Sequence, residues 1–118
     1  MADWVITLPQ KVEWSDYKRE LDDVLSTPGM VMNYRVAHFP KDMRIGDRCF
    51  VVHRGKVRGW MKIVGMKDWT NGFTCQTTGA EWRPGKYIQR AGTFMFVDGP
   101  EMKGFQGIRR FNGATQEA

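Results

Sequence analysis

The stretch Arg48-Cys49-Phe50-Val51-Val52-His53-Arg54-Gly55-Lys56-Val57-Arg58-Gly59-Trp60-Met61-Lys62-Ile63-Val64 decides how this chain folds. Two runs rich in β-branched and aromatic residues, Arg48–His53 and Lys56–Val64, flank Arg54-Gly55. A two-residue loop ending in glycine suits the left-handed backbone of a tight hairpin turn, so the stretch reads as a β-hairpin. Its second run alternates, with Val57, Gly59, Met61 and Ile63 pointing one way and Lys56, Arg58, Trp60 and Lys62 the other. Gly46-Asp47 marks the turn that leads in.

Similar strands lie on both sides of the hairpin. Trp4–Leu8 reads as a strand stopped by Pro9, and Met30–Ala37 as another. Further strands are expected at Phe73–Thr77, Tyr87–Arg90, Thr93–Val97 and Gly107–Phe111, each bounded by Gly or Pro. Between the first two, Trp14, Tyr17, Leu21, Val24 and Leu25 recur at helical spacing, with Ser15 as the expected N-cap and Thr27-Pro28-Gly29 as the stop. Phe39–Arg44 is expected to be a short irregular or helical piece. Short strands at even spacing predict an α+β, mainly β domain: a small twisted barrel with one or two short helices packed against it. Residues 1–112 form one domain in this reading, and residues 113–118 a frayed tail.

The chain has 118 residues, enough for one core. Residues 1–29 hold three Lys/Arg against six Asp/Glu, whereas the remainder holds fifteen against seven, within a total of +5. A basic body attracts polyanions, and nucleic acid is the commonest of these in a cytoplasm; modest basicity for solubility alone is the bland reading. No apolar run reaches the length of a bilayer span and no secretory pattern opens the chain, so a cytoplasmic protein without a membrane partner is expected. Cys49 and Cys75 sit in strand-like segments without a CxxC, which supports neither a disulfide framework nor a zinc site. No metal or cofactor is implied.

Catalytic patterns are missing. His38 and His53 stand in no Ser-His-Asp order or HExxH spacing, His53 reads as a surface residue at a hairpin edge, and the glycines form no phosphate-cradling loop. The carboxylates Glu20, Asp22 and Asp23 fit a solvated helix face. Nothing here compels an enzyme.

The five tryptophans are more suggestive. Trp69 and Trp82 both lie in polar loops, where an indole either packs back on the domain or stacks on a ligand. Flat rings beside Arg and Lys suit base stacking combined with phosphate neutralisation.

Six segments carry a resemblance. Asn33-Tyr34-Arg35-Val36-Ala37, Met43-Arg44-Ile45-Gly46-Asp47 and Val57-Arg58-Gly59-Trp60-Met61-Lys62-Ile63 together resemble the EVE domain. Trp82-Arg83-Pro84-Gly85-Lys86-Tyr87, Phe94–Pro100 and Gly107-Ile108-Arg109-Arg110 are similar to stretches of the YTH domain, and the Gly-Asp turn also occurs in ASCH domains. All three belong to the PUA-like superfamily. The resemblance spans about residues 30–111 in short pieces shared among relatives. It implies a twisted barrel that binds nucleic acid, DNA or RNA, single-stranded or modified, with a pocket for a flipped-out or methylated base. On that reading Asn33, Tyr34, Trp69 and Trp82 line the base pocket, with room for a methyl group left by Gly59. Arg35, Arg58, Lys62, Arg83, Lys86 and Arg90 hold the backbone phosphates. An early cage tryptophan of YTH proteins is absent here, replaced by Met30, Val31 and Met32.

Two other classes stay open. Some ASCH relatives are amidohydrolases acting on acylated nucleosides with a Lys, Thr and Glu set, and Lys11, Thr7 and Glu13 lie near the first strand without matching its order. A Trp-rich surface would equally serve a protein-interaction module. Strand edges and exposed rings permit a dimer without requiring one.

Overall fold

The structure, a computed structural model, describes residues 2–69, 71–74 and 79–112. The chain runs β1 (Asp3–Thr7), α1 (Trp14–Ser26), β2 (Met32–Val36), β3 (Arg48–His53), β4 (Lys56–Trp69), β5 (Phe73–Thr74), β6 (Glu81–Trp82), β7 (Gly85–Phe96) and β8 (Ile108–Arg110). Six strands form one curled sheet in the order β2-β7-β4-β3-β1-β8, and β5 pairs with β6. Neighbours are antiparallel except β1 and β3, which are parallel. The curl brings the two edge strands close enough for the Tyr34 hydroxyl on β2 to donate to the Gly107 carbonyl beside β8, at 3.3 Å. The mainly β prediction holds, with a half-barrel sheet and a single helix among the described residues.

Both faces of the sheet are covered around β3, which explains why β3 is an unbroken apolar run. Cys49 and Val51 enter an inner core with Trp4, Ile6, Tyr17, Leu21, Met61, Ile63 and Ile88, whereas Phe50 and Val52 enter an outer core with Val5, Val57 and Phe111. Helix α1 seals the inner core with Tyr17, Leu21 and Val24. Burying these side chains contributes roughly 1.5–3 kcal/mol each.

The hairpin turn forms as expected, with both Arg54 (φ 52°) and Gly55 (φ 81°) left-handed. The alternation expected across β4 does not survive intact. Val51 pairs with Gly59 but Val52 pairs with Val57, so Arg58 is the extra residue of a β-bulge. Val57 is thereby turned to the outer core while Met61 and Ile63 stay inside. Tyr87–Arg90 and Thr93–Val97 are one strand, β7, bent at Gly92 (φ 88°) rather than broken there. β4 runs on to Trp69, because Lys67 and Asp68 keep pairing with Tyr87 and Lys86.

The helix begins one residue before the expected cap. Glu13 is extended and its carbonyl accepts the amides of Asp16 and Tyr17, so Ser15 lies inside the first turn. His53 is not at the surface. It is 1% exposed, stacks on Trp14 and donates from Nε2 to the Val12 carbonyl at 2.8 Å. The strand expected at Phe73–Thr77 is described only to Thr74; Cys75 and the tail at 113–118 lie outside the described residues.

Candidate nucleic-acid interface

Side chains paired across an antiparallel sheet share a face, so register sorts the predicted site residues. Met32 pairs with Arg90 and Arg90 with Ile63, and both apolar partners belong to the inner core. Arg90 therefore points inward. It is 3% exposed, donates to the Tyr17 hydroxyl at 3.1 Å, and leaves Nε without a partner. No carboxylate lies within ion-pair distance of it among the described residues. The expected phosphate contact is corrected here: this guanidinium is enclosed beneath α1 and has no solvent-facing edge on which a strand could lie. Burial raises the pKa of Tyr17 and Tyr34 and pushes the Cys49 thiol up to about 11, so all three are neutral groups around it.

Tyr34 pairs with Ile88 and shares this inner face. Asn33, its neighbour, pairs with Gln89 on the outer face, where Gln89 Nε2 donates to Asn33 Oδ1 at 3.4 Å. The two residues expected to line one pocket thus stand on opposite sides of β2.

The outer face gathers more of the predicted set. Arg35 pairs with Tyr87 and Tyr87 with Lys67, while Gln89 pairs with Gly65 and Lys62 with Ala91. Arg35, Lys62 and Lys67 are exposed and form no ion pair with any described carboxylate; among the described residues Arg35 donates to the Pro84 carbonyl alone, at 3.2 Å. Among them lies a floor of half-buried Asn33 and Gln89, with the Gln89 side chain over buried Gly65. One end of this stretch is closed by the outer core around Phe50 and Trp60, where Arg48 stacks on both rings and pairs with Asp3.

The other end is closed by aromatic residues. Phe73 contacts Trp69 at 5.2 Å, Trp82 at 5.5 Å and Tyr87 at 4.9 Å between ring centroids. Trp69 and Trp82 therefore do converge, though through Phe73, with no direct ring contact described between them. Gly72 is left-handed (φ 76°), and a Cβ there would meet the Trp82 carbonyl at 2.3 Å, so glycine is what lets this hairpin fold back onto Tyr87.

The remaining predicted cations are dispersed. Arg58, displaced by its bulge, donates to the His53 carbonyl and lies 5.9 Å from the Trp14 ring. Lys86 faces Asp68 at 3.6 Å, and Arg83 is exposed in the turn before β7. The space expected above Gly59 is occupied, since a Cβ there would sit 2.3 Å from the Phe94 ring.

The Gly-Asp turn has a structural role. Asp47 is buried and accepts from Trp4 Nε1 (2.9 Å) and the amides of Arg44 (2.9 Å) and Ala2 (3.1 Å). Burial alone would raise its pKa, but these three donors outweigh that and hold it below the usual aspartate value. Thr7 accepts the Phe105 amide and Glu13 faces Arg54, so Lys11, Thr7 and Glu13 are not gathered by any described contact. Sequence reasoning missed Lys67, Gln89, Phe73 and Tyr87. Alternation along β7 was the available signal for Tyr87 and Gln89, but their neighbours depend on which strands pair. The chain matches no protein-family model, no curated protein and no solved structure.

Proposed function

We propose that this chain is a PUA-like nucleic-acid-binding domain that lays a single strand over the outer face of β2, β7 and β4. One observation carries the reading: Arg35, Lys62 and Lys67 are exposed around a stretch of sheet floored by half-buried Asn33 and Gln89, without carboxylate partners among the described residues. Cations left unpaired on a flat surface are free to neutralise phosphates and release counterions. The amides of Asn33 and Gln89 supply donors and acceptors for base edges, with the Gln89 side chain lying over Gly65. Trp69 and Trp82 border the same face. A flipped or modified base enters between them only by displacing Phe73, at a cost that stacking of about 1–3 kcal/mol per base has to offset.

The test is titration of the protein with short single-stranded DNA and RNA, unmodified and methylated, at two salt concentrations, followed by tryptophan fluorescence. The expected result is saturable, salt-sensitive quenching. The triple variant Arg35→Ala/Lys62→Ala/Lys67→Ala weakens binding to every sequence and lowers the log K against log salt slope by about two, from ~0.7 per phosphate contact. Absence of binding at low salt, or a triple variant that binds like the parent, overturns the proposal. Trp82→Ala separates the base pocket from the backbone track, since a pocket predicts selective loss for one modified base.

A further inference from the structure

A groove of about 520 Å³ opens at the far end of the half-barrel, lined by Ala2, Asp42, Arg44, Ile45, Gly46, Asp47 and Arg110. Its volume falls in the range that holds a small ligand. Nothing in the outer-face reading uses it, and its construction is specific. Left-handed Gly46 (φ 98°) turns the 42–47 loop back so that Gly46 donates to the Ile63 carbonyl at 2.8 Å, and Asp47 clasps Ala2, Trp4 and Arg44 from below. The floor is therefore fixed before any ligand arrives.

The walls differ chemically. Arg44 and Arg110 are both exposed, and neither has a carboxylate within ion-pair distance among the described residues. Arg110 lies over the Trp4 ring at 5.0 Å, which holds its planar fork in place. Ile45 is 66% exposed at the rim, an apolar surface beside the forks. Asp42 adds a carboxylate. Two guanidiniums repel a metal cation, and the Asp42 carboxylate leaves room for one anionic group. What remains is a ligand with one anionic end, hydroxyl or amine donors at the other, and a flat apolar part between.

The geometry points to a nucleoside-monophosphate-like ligand, its phosphoryl group on Arg44 and Arg110, its base against Ile45 and its sugar or amine donors toward Asp42. Bidentate guanidinium–phosphate pairing supplies the anion specificity. The same chemistry could come from a free nucleotide or from the phosphorylated end of a strand.

The experiment follows the Trp4 indole N–H in ¹H–¹⁵N spectra, a reporter bonded to Asp47 and covered by Arg110. Adenosine monophosphate is titrated against adenosine and inorganic phosphate. The nucleotide should shift this resonance saturably, at least about tenfold more tightly than either fragment. Arg110→Met should weaken the nucleotide by about tenfold or more, and Arg110→Lys by less, because charge remains without the fork. Asp42→Asn should weaken the nucleotide but not inorganic phosphate. An unmoved Trp14 indole resonance, from a ring packed on Tyr17 and His53 away from the groove, establishes that the variants are folded. A 5′-phosphorylated oligonucleotide that shifts the signal where its unphosphorylated counterpart does not assigns the strand end as the source; a shift by mononucleotide alone assigns the free ligand. Equal binding of adenosine and its monophosphate, or parental affinity in Arg110→Met, overturns the site. Arg35→Ala/Lys62→Ala/Lys67→Ala leaves this titration unchanged, so failure here and failure of the outer-face reading are distinguishable.

Discussion

Arg90 and Arg35 stand on the adjacent strands β7 and β2, yet they do opposite things. Arg90 faces the inner core, where it meets the Tyr17 hydroxyl and no described carboxylate; Arg35 faces out, with the Pro84 carbonyl as its one described hydrogen-bond partner. The inner guanidinium has lost its water and contributes to a fixed core, while the outer one keeps its water and can exchange it for phosphate. Burial, rather than residue type, separates the cation that builds the fold from the cation available to a ligand.

The largest expected effect tests the inner half of that contrast. Arg90→Ala leaves a cavity and an unpartnered Tyr17 hydroxyl, and should lower stability by about 3 kcal/mol in urea unfolding. Arg90→Met fills similar volume without a charge to desolvate and should cost less than half of that, about 1 kcal/mol. Arg35→Ala should stay within about 0.5 kcal/mol. Equal losses for Arg90→Ala and Arg35→Ala would dissolve the distinction.

A pair of glycines sharpens it. A Cβ on Gly59 would meet the Phe94 ring at 2.3 Å and the Met95 carbonyl at 2.4 Å, neither of which can easily move. Gly59→Ala should therefore cost about 2 kcal/mol through overpacking. On the outer face a Cβ on Gly65 would meet the Gln89 Oε1 at 2.6 Å, the free end of a flexible side chain. Gly65→Ala should cost less than about 0.5 kcal/mol, with the same thermal or urea unfolding as the measurement.

The hairpin of β3 and β4 was legible because its punctuation is local: the Gly46-Asp47 lead-in, the Arg54-Gly55 loop, and the unbroken apolar run of a strand buried on both faces. The separation of Asn33 from Tyr34 was also legible in principle, since adjacent strand residues point to opposite faces. What could not be read were the places where partners decide. The bulge at Arg58 turns Val57 outward only because Val52 selects it as a partner, and Lys67 joins Arg35 only because β7 lies between their strands. His53 looked exposed at a hairpin edge, but Val12 and Trp14, more than thirty residues earlier in the chain, cover it. Such long-range choices leave no mark in local spacing.

The smallest expected effect bears on both halves at once. Tyr34 faces inward, and its hydroxyl closes the seam between β2 and β8 through a single long bond to the Gly107 carbonyl. A partly buried neutral hydrogen bond of that length contributes about 0.5 kcal/mol, so Tyr34→Phe should lower stability by that little, and oligonucleotide affinity should not change. Those two readouts separate what the seam does for the fold from what it does for a ligand. If Tyr34→Phe removed oligonucleotide binding while stability fell by only about 0.5 kcal/mol, the ligand would have to enter from the seam and reach the inner face. The outer-face cations would then be bystanders. Unchanged binding in Tyr34→Phe together with weakened binding in the Arg35, Lys62 and Lys67 variant would instead place the strand outside, because the hydroxyl and the three cations lie on opposite faces of the same three strands.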